Sequence, residues 1–400
     1  RVRGAAAGAL ARVARRGDQQ AVAVVSRLLQ DRHAGVRRAA AEALAALAER
    51  GDEAAVAAAA ACLEDRDASV RHAAAEALGQ VAERGGGAAV AAVAARLGHR
   101  DPEVRCAALQ ALTRVARKGD EQAVGAVSGL LQDRCARVRG AAVDALAQVV
   151  ERGSSHAVAA VGRRLSDANA DVRRGALQAM IRVAGSGDRR AIAAVSSRLE
   201  ECDAEMRSTA VQALLQVASR GDERAVSAVT HRMEHPEASV RRTALQALVQ
   251  VAEQGDERAV AAAAALLADP DVQVRDAAVE ALPQVAARGD VHAVAAVTSY
   301  LEHTEATVRC AALAALAMVA EQGDTSAVDA ACRLLEDANR RVRRAAVGAL
   351  PALAARGDPH AIAAVASRLK RRCSGVRDAA VAALAELAEP GGAHTLAALA

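Results

Sequence analysis

Aromatic side chains are almost absent from this chain of 400 residues. It contains no Trp, no Phe and a single Tyr, Tyr300, although 52% of its residues are hydrophobic. A buried core must therefore be built from Ala, Val and Leu, whose small side chains allow helices to pack at the close end of the usual ~8–10 Å range. The row of aromatic side chains on which single-stranded nucleic acids commonly stack is also excluded.

Paired cysteines and a strong excess of one charge are also lacking. The seven cysteines form no Cys-x-x-Cys pair, so the sequence indicates neither a zinc site nor a disulfide framework, and we expect an intracellular, cytoplasmic protein. The net charge is only +4, from 52 basic and 48 acidic residues, which does not favour nucleic acid as the partner. Charged residues interrupt the alanine-rich stretches, so we predict no membrane insertion.

The dominant feature that is present is a repeat. A glycine recurs every 34 residues, from Gly17 to Gly391, in twelve copies without a shift, and Asp follows it in nine of them. A fixed period of this size indicates stacked supersecondary units. Positions within each repeat are numbered from this glycine, which is position 1.

Each repeat reads as two helices joined by a short polar turn. In residues 221–254 the apolar spacing predicts helix A from position 3 to 13 and helix B from about 19 to 33, with positions 20, 24, 27, 28 and 31 buried. The Arg-Gly-Asp triplet that recurs between repeats suits this junction. The arginine is favourable in the last turn of a helix, and the glycine can adopt the left-handed conformation that follows the helix end. The Asp can cap the start of the next helix.

Two prolines fall inside the predicted helix B. Pro283 and Pro351 both stand at position 29, where proline removes a backbone hydrogen bond and clashes with the preceding turn. We therefore predict a local bend or break in these two helices that their neighbours lack.

The pattern Asp-x5-Arg, with Val before the Arg, begins helix B, and the Arg at position 21 is present in every copy from Arg3 to Arg377. This pattern resembles HEAT repeats, and the short, alanine-rich form is similar to the phycobilin-lyase-type (EZ) class. Tetratricopeptide repeats share the period, but their pattern needs Trp, Tyr and Phe at fixed places.

The resemblance implies an all-α fold, a right-handed α-solenoid (superhelix) of 34-residue two-helix repeats. We expect residues 1–400 to form a single continuous array, with a partial repeat at 1–16, eleven full repeats at 17–390 and a partial repeat at 391–400. We also expect this array to be a piece of a longer protein.

The resemblance further implies that the Arg and Asp side chains of the repeated Asp-x5-Arg pattern form a structural ladder along the stack. At one repeat the Asp is replaced by Arg371, which places a like charge in the ladder. The residues assigned to the ladder are Arg37, Arg71, Arg139, Arg173, Arg275, Arg343, Asp31, Asp65, Asp133, Asp167, Asp269 and Asp337.

A candidate partner-binding surface lies on the face of helix B opposite its buried stripe. Ile181, Leu215 and Val249 occupy position 29 in three consecutive repeats, where most other repeats have a small residue, and we expect them to form an exposed apolar line. Polar donors surround them, so we expect a partner segment that is acidic rather than basic. These donors are Arg174, Arg182, Arg242, Gln178, Gln212, Gln216, Gln246 and Gln250.

The leading functional hypothesis is a scaffold that binds partner proteins along helix B and is not an enzyme. We predict no catalytic residue, no cofactor and no metal site. Two alternatives stay open: a subunit resembling a bilin (tetrapyrrole) lyase and, less favoured, a scaffold associated with nucleic acid.

Overall fold

The computed structural model describes residues 2–388, in which the regular secondary structure is all helical, without a strand. The chain divides into two compact units, residues 1–195 and 196–400. Within each unit the helices B pack on one another in one layer, and the helices A pack in a second layer. None of the helices between residues 2 and 388 is both long and apolar enough to cross a membrane.

Odd-numbered helices are the helices B of the repeats and even-numbered ones are the helices A, most of which end in a 3-10 turn. The first twelve are α1 (Val2–Val13), α2 (Gln19–Leu28), α3 (Ala34–Leu47), α4 (Glu53–Ala61), α5 (Ala68–Val81), α6 (Gly87–Ala94), α7 (Pro102–Val115), α8 (Glu121–Gly129), α9 (Ala136–Val149), α10 (Ser155–Gly162), α11 (Ala170–Val183) and α12 (Arg189–Ser196). The others are α13 (Ala204–Val217), α14 (Glu223–Arg232), α15 (Ala238–Val251), α16 (Glu257–Ala265), α17 (Val272–Val285), α18 (Val291–Ser299), α19 (Ala306–Val319), α20 (Thr325–Arg333), α21 (Arg340–Leu353), α22 (Pro359–Ala366) and α23 (Ser374–Leu387).

The core follows the stripe predicted from the sequence. On α15 Val240, Ala244, Ala247, Leu248 and Val251 are all buried, with exposed fractions of 0–2%. Burying a Val or Leu side chain contributes roughly 1.5–3 kcal/mol, so most of the stability of each repeat comes from this stripe and its counterpart on helix A.

The Arg-Gly-Asp junction holds successive repeats together as well as joining two helices. The Gly221 amide donates to the Val251 carbonyl of the same repeat at 2.7 Å, and the Arg220 Nε donates to the Ala252 carbonyl at 3.1 Å. The Asp222 carboxylate caps α14 by accepting from two of its first amides. Gln254, which replaces the arginine one repeat later, donates to the equivalent carbonyl of Ala286 at 3.3 Å. The triplet therefore has a structural role at each of its three residues.

The prolines at position 29 do not break helix B. Helices α17 and α21 contain Pro283 and Pro351, yet both have fourteen residues, as their neighbours do. The expected break is wrong because position 29 lies only two residues before the helix ends. The ring removes one hydrogen bond from the last turn and leaves the rest of the helix intact.

In most repeats the Arg at position 21 connects the turn of its own repeat to the turn of the next. All six arginines assigned to the ladder donate Nη1 to the backbone carbonyl at position 15 of their own repeat, at 2.6–3.0 Å. The carboxylate that such an arginine binds belongs instead to the following repeat. In four such rungs both carboxylate oxygens accept at 2.6–2.9 Å, namely Arg37–Asp65, Arg105–Asp133, Arg241–Asp269 and Arg309–Asp337.

Two arginines of the first unit take an acid at position 19 of the next repeat. Arg71 lies 3.5 Å from the Glu103 carboxylate, and Arg139 donates to Asp171 at 2.8 Å. Asp167, which stands at the position that binds the ladder arginine in the four rungs above, accepts instead from Gln132 at 2.7 Å. The register of the ladder is therefore set by the packing of neighbouring repeats and not by the spacing within one repeat.

The buried carboxylates of the ladder stay ionised. Burial by itself raises the pKa of Asp65, Asp133 and Asp337, but hydrogen bonds from the paired arginine and from the amide two residues on outweigh it, so each pKa lies below its usual 3.8. A lowered pKa means that these carboxylates stabilise the folded chain above pH 3.8 and lose that contribution as the pH falls further.

Removing one carboxylate of a buried rung tests the ladder. Asp269→Ala leaves the buried Arg241 guanidinium without its partner, and we expect a loss of about 3–5 kcal/mol in the free energy of unfolding. Asp167→Ala removes the same group at the same repeat position, but no arginine depends on it, so we expect a loss of about 1 kcal/mol. Urea denaturation followed by circular dichroism measures both; equal losses would contradict a structural ladder.

The left-handed glycine is tested by a second matched pair. Gly255 has a φ of +88° and open space around an added Cβ, so Gly255→Ala isolates the backbone strain, which we expect to cost about 1–2 kcal/mol. Gly125 lies inside α8, also with open space, and Gly125→Ala should stabilise by about 0.5–1 kcal/mol. Thermal melting of the two variants should shift in opposite directions; a shift of the same sign would argue against the cap.

Candidate functional site

The helix B face consists of positions 22, 26, 29 and 30 of the odd-numbered helices, opposite the buried stripe. Its composition is polar and rich in glutamine. Nine of the seventeen glutamines of the chain stand at positions 26 and 30 of this face, and all nine are exposed. In the first unit they are Gln80, Gln110, Gln148 and Gln178; in the second they are Gln212, Gln216, Gln246, Gln250 and Gln284.

A groove of about 770 Å³ lies on the helix B face of α5, α7 and α9 in the first unit. Position 29 is small here: an added Cβ on Gly79 would lie 3.1 Å from the Arg114 side chain of the next helix. Arg114 forms an ion pair with Glu76 across the two helices. The lining residues are Arg50, His72, Glu76, Gly79, Gln80, Arg84, Leu109, Gln110, Thr113, Arg114, Ala141, Asp144, Ala145 and Gln148.

The predicted apolar residues are less accessible than expected. Ile181 lies on α11 in the first unit, and Leu215 and Val249 lie on α13 and α15 in the second; all three are half-buried. The prediction that these three side chains form an exposed apolar line is therefore wrong, because each of them is partly covered. The distance between Gly79 and Arg114 gives the reason, because it shows that position 29 leans towards the next helix B and not straight into solvent.

The predicted donors fall into two groups. The arginines are engaged with neighbours: Arg182 lies 4.0 Å from Asp144, Arg174 lies 3.8 Å from Asp171, and Arg242 donates to the Gln273 amide oxygen at 2.5 Å. The glutamines are exposed, and Gln250 makes only a long 3.4 Å bond to a carbonyl of its own helix. The glutamine amides are therefore the groups of this face that are ready to bind.

Two features of this face were not predicted. The groove on α5 to α9 has a signal in the sequence, the small residues Gly79 and Thr113 at position 29. A second cavity of about 600 Å³ lies on α17, α19 and α21 of the second unit, where Val272 is 55% exposed. The sequence feature that could have predicted this cavity is Val272, an apolar residue at the start of a helix B.

The thiols of the core have no role in this surface. Burial raises the pKa of Cys62 and Cys332 to about 11, so both stay protonated at neutral pH. Among residues 2–388, no three or more His, Cys, Asp or Glu side chains are grouped closely enough to hold a metal ion.

Comparison with solved structures finds similar chains at low sequence identity. An engineered protein is similar over 92% of this chain and 98% of its own, at 19% identity and a TM-score of 0.32. Importin beta matches over 92% of this chain and 58% of its own, at 16% identity and a TM-score of 0.47. Kap121p bound to Ste12p matches over 92% of this chain at 15% identity and a TM-score of 0.50, and the chain spans 44% of its length.

A search of curated protein sequences finds no significant match to this chain. The family model described as HEAT repeats, in contrast, matches in eight overlapping segments, 1–79, 56–147, 90–181, 126–215, 158–249, 192–283, 263–351 and 294–385. These segments cover nearly all of the two-helix repeats described above, and the chain belongs to the HEAT-repeat family.

Proposed function

We propose that this chain is a protein-binding scaffold and that its helix B face holds an extended segment of a partner protein. The observation that carries the proposal is the row of exposed glutamines at positions 26 and 30 on neighbouring helices of each unit. Within a unit these helices pack side by side, so each contributes the same polar group to one continuous surface.

Glutamine amides suit the backbone of an extended chain. Each amide offers two N–H donors and a carbonyl acceptor, which match the alternating groups of a peptide backbone. Helices that pack about 10 Å apart would meet such a segment at every third residue, since an extended chain rises about 3.3 Å per residue. A surface of this kind binds the main chain of the partner segment. The side chains that lie between the glutamines on the helix B face then determine which partner sequences are preferred.

The half-buried residues at position 29 supply the apolar floor beside this row. On the second unit, Leu215 and Val249 lie between the glutamines of α13 and α15, and Ile181 stands in the same position on α11 of the first unit. Arg242, which is bound to an uncharged amide, adds positive charge to the same face, whereas Arg174 and Arg182 are ion-paired. The partner segment is therefore acidic rather than basic, with apolar side chains directed at position 29.

The fold fits this role. HEAT repeats expose a long regular surface on every helix B, and the Kap121p structure, which has this fold, is a complex with Ste12p. The bilin-lyase and nucleic-acid hypotheses stay predictions, since nothing on the helix B face favours either of them.

Selection of binding segments tests the proposal. A display library of random peptides is selected against the whole chain, and the affinity of enriched peptides is measured by fluorescence anisotropy. Changing Gln212, Gln216, Gln246 and Gln250 to Ala should weaken binding to the second unit by about tenfold or more, because several hydrogen bonds are lost at once.

Exposed glutamines on the other layer provide the control. Gln19, Gln20 and Gln122 lie on helices A and are exposed, so changing them to Ala removes the same chemistry from a different surface. The control variant should bind as the unaltered chain does. Equal weakening of peptide binding by both sets of substitutions would contradict the helix B face as the site. Enriched peptides whose affinity neither set of substitutions changes would contradict it as well.

A further inference from the structure

One rung of the ladder brings two cations together. The Arg343 guanidinium donates Nη1 to the Asp337 carbonyl at 2.7 Å, as every ladder arginine does, and Nε to the Gly375 carbonyl at 3.2 Å. The residue at position 15 of the next repeat is Arg371, whose side chain turns away to Glu336 at 3.0 Å. Within residues 2–388 no carboxylate lies within ion-pair distance of Arg343, and we name Arg343 and Arg371 the cationic rung.

Other residues that replace the Asp still accept a hydrogen bond from the backbone amide two residues on, and the Arg371 side chain does not. At the rungs of Arg207 and Arg275 the residue is His235 or His303, and its Nδ1 accepts from the amide two residues on, at 3.1 and 3.2 Å. The Asp carboxylates accept from the same amide, as Asp269 does at 2.8 Å. Arginine has no acceptor, so Arg371 replaces neither the charge nor this hydrogen bond.

The surroundings of the cationic rung are strongly basic. Residues 336–344 and 370–378 contain eight cations and three acids. Two of the acids are already paired, because Glu336 binds Arg368 and Arg371, and Asp337 binds Arg309. The exposed cations without a carboxylate partner among the described residues are Arg340, Arg341, Arg344, Lys370, Arg372 and Arg377.

Access to Arg343 depends on Gly375. This residue stands at position 19, where every other full repeat except the first, which has Gly35, has a larger side chain such as Glu103 or Asp171. An added Cβ on Gly375 would lie 2.6 Å from the Arg343 Nη2. The glycine therefore leaves one side of the half-buried guanidinium uncovered.

We propose that the cationic rung binds carboxylates of an acidic segment from a partner protein, with one carboxylate oxygen accepting from the Arg343 Nη2, the atom that donates to an Asp oxygen in four other rungs. The chain itself supplies the reason for choosing carboxylate: the same arginine position binds both oxygens of an Asp in four other rungs. A planar guanidinium fork suits this bidentate arrangement. The surface lies on the turns between helices A and B and on the first turns of α21 and α23, and Arg344 is the one cation of the patch that also belongs to the helix B face.

Nucleic acid is the competing class of partner, since phosphates also bind arginine. Tyr300 is the sole aromatic residue of the chain, and it lies outside the two segments that form this patch. The stacking that normally accompanies single-strand binding is therefore missing here. The observations favour an acidic peptide, and the experiment distinguishes the two.

The test uses the whole chain with fluorescein-labelled octaglutamate as the probe, at physiological salt. Arg371→Asp gives Arg343 a carboxylate from its own chain, so it should lower affinity for the probe about tenfold more than Arg372→Asp does. The two variants change the net charge equally at neighbouring exposed residues. Arg371→Asp should also raise the melting temperature, and Arg372→Asp should not. Equal losses of affinity in the two variants would overturn the rung as the site.

Two native thiols locate the bound peptide. Cys373 adjoins the patch and Cys202 does not, and both are exposed. Octaglutamate should slow alkylation of Cys373 and leave that of Cys202 unchanged, as read by peptide mass spectrometry. Equal protection of both thiols would overturn the location, and tighter binding of an oligothymidylate of the same length would overturn the choice of an acidic peptide.

Discussion

Within each unit, neighbouring helices B are held together near both ends by hydrogen bonds that recur with the 34-residue period. At the end of the helix, the amide of the left-handed glycine donates to the last helix B carbonyl, as Gly51 does to Val81 at 2.7 Å. At the start, the arginine of position 21 reaches the turn of the next repeat. Both contacts require one fixed offset between successive helices, and the remaining features of the repeat follow from that offset.

The composition of the core is a consequence of this offset. Helices held at the same two points in every repeat need side chains of nearly the same size between them, and Ala, Val and Leu provide that. Large aromatic side chains would force neighbouring helices apart and break the contacts at the ends. The near absence of aromatic residues is therefore a packing requirement, and it also leaves the outer side of helix B free to vary.

Variation is concentrated where these contacts do not need a particular residue. Glutamines, charged residues and small residues alternate at positions 22, 26, 29 and 30, and the groove on α5 to α9 exists because Gly79 is small and Arg114 folds across it. The ladder tolerates changes too, since Arg71 and Arg139 bind acids at position 19, although Asp167 stands at position 15 of the repeat that follows Arg139. Arg371 is different, because it places a cation at the position where an Asp binds the ladder arginine in four other rungs.

The sequence by itself determined the two-helix repeat, the capping of helix A by Asp222 and its equivalents, and the buried stripe of Val240, Ala244 and Leu248, because each depends on residues close in the chain. Tertiary structure alone decided which Asp each ladder arginine binds and how far Leu215 and Val249 are buried. These depend on the offset between neighbouring repeats, and residue spacing within one repeat carries no information about that offset.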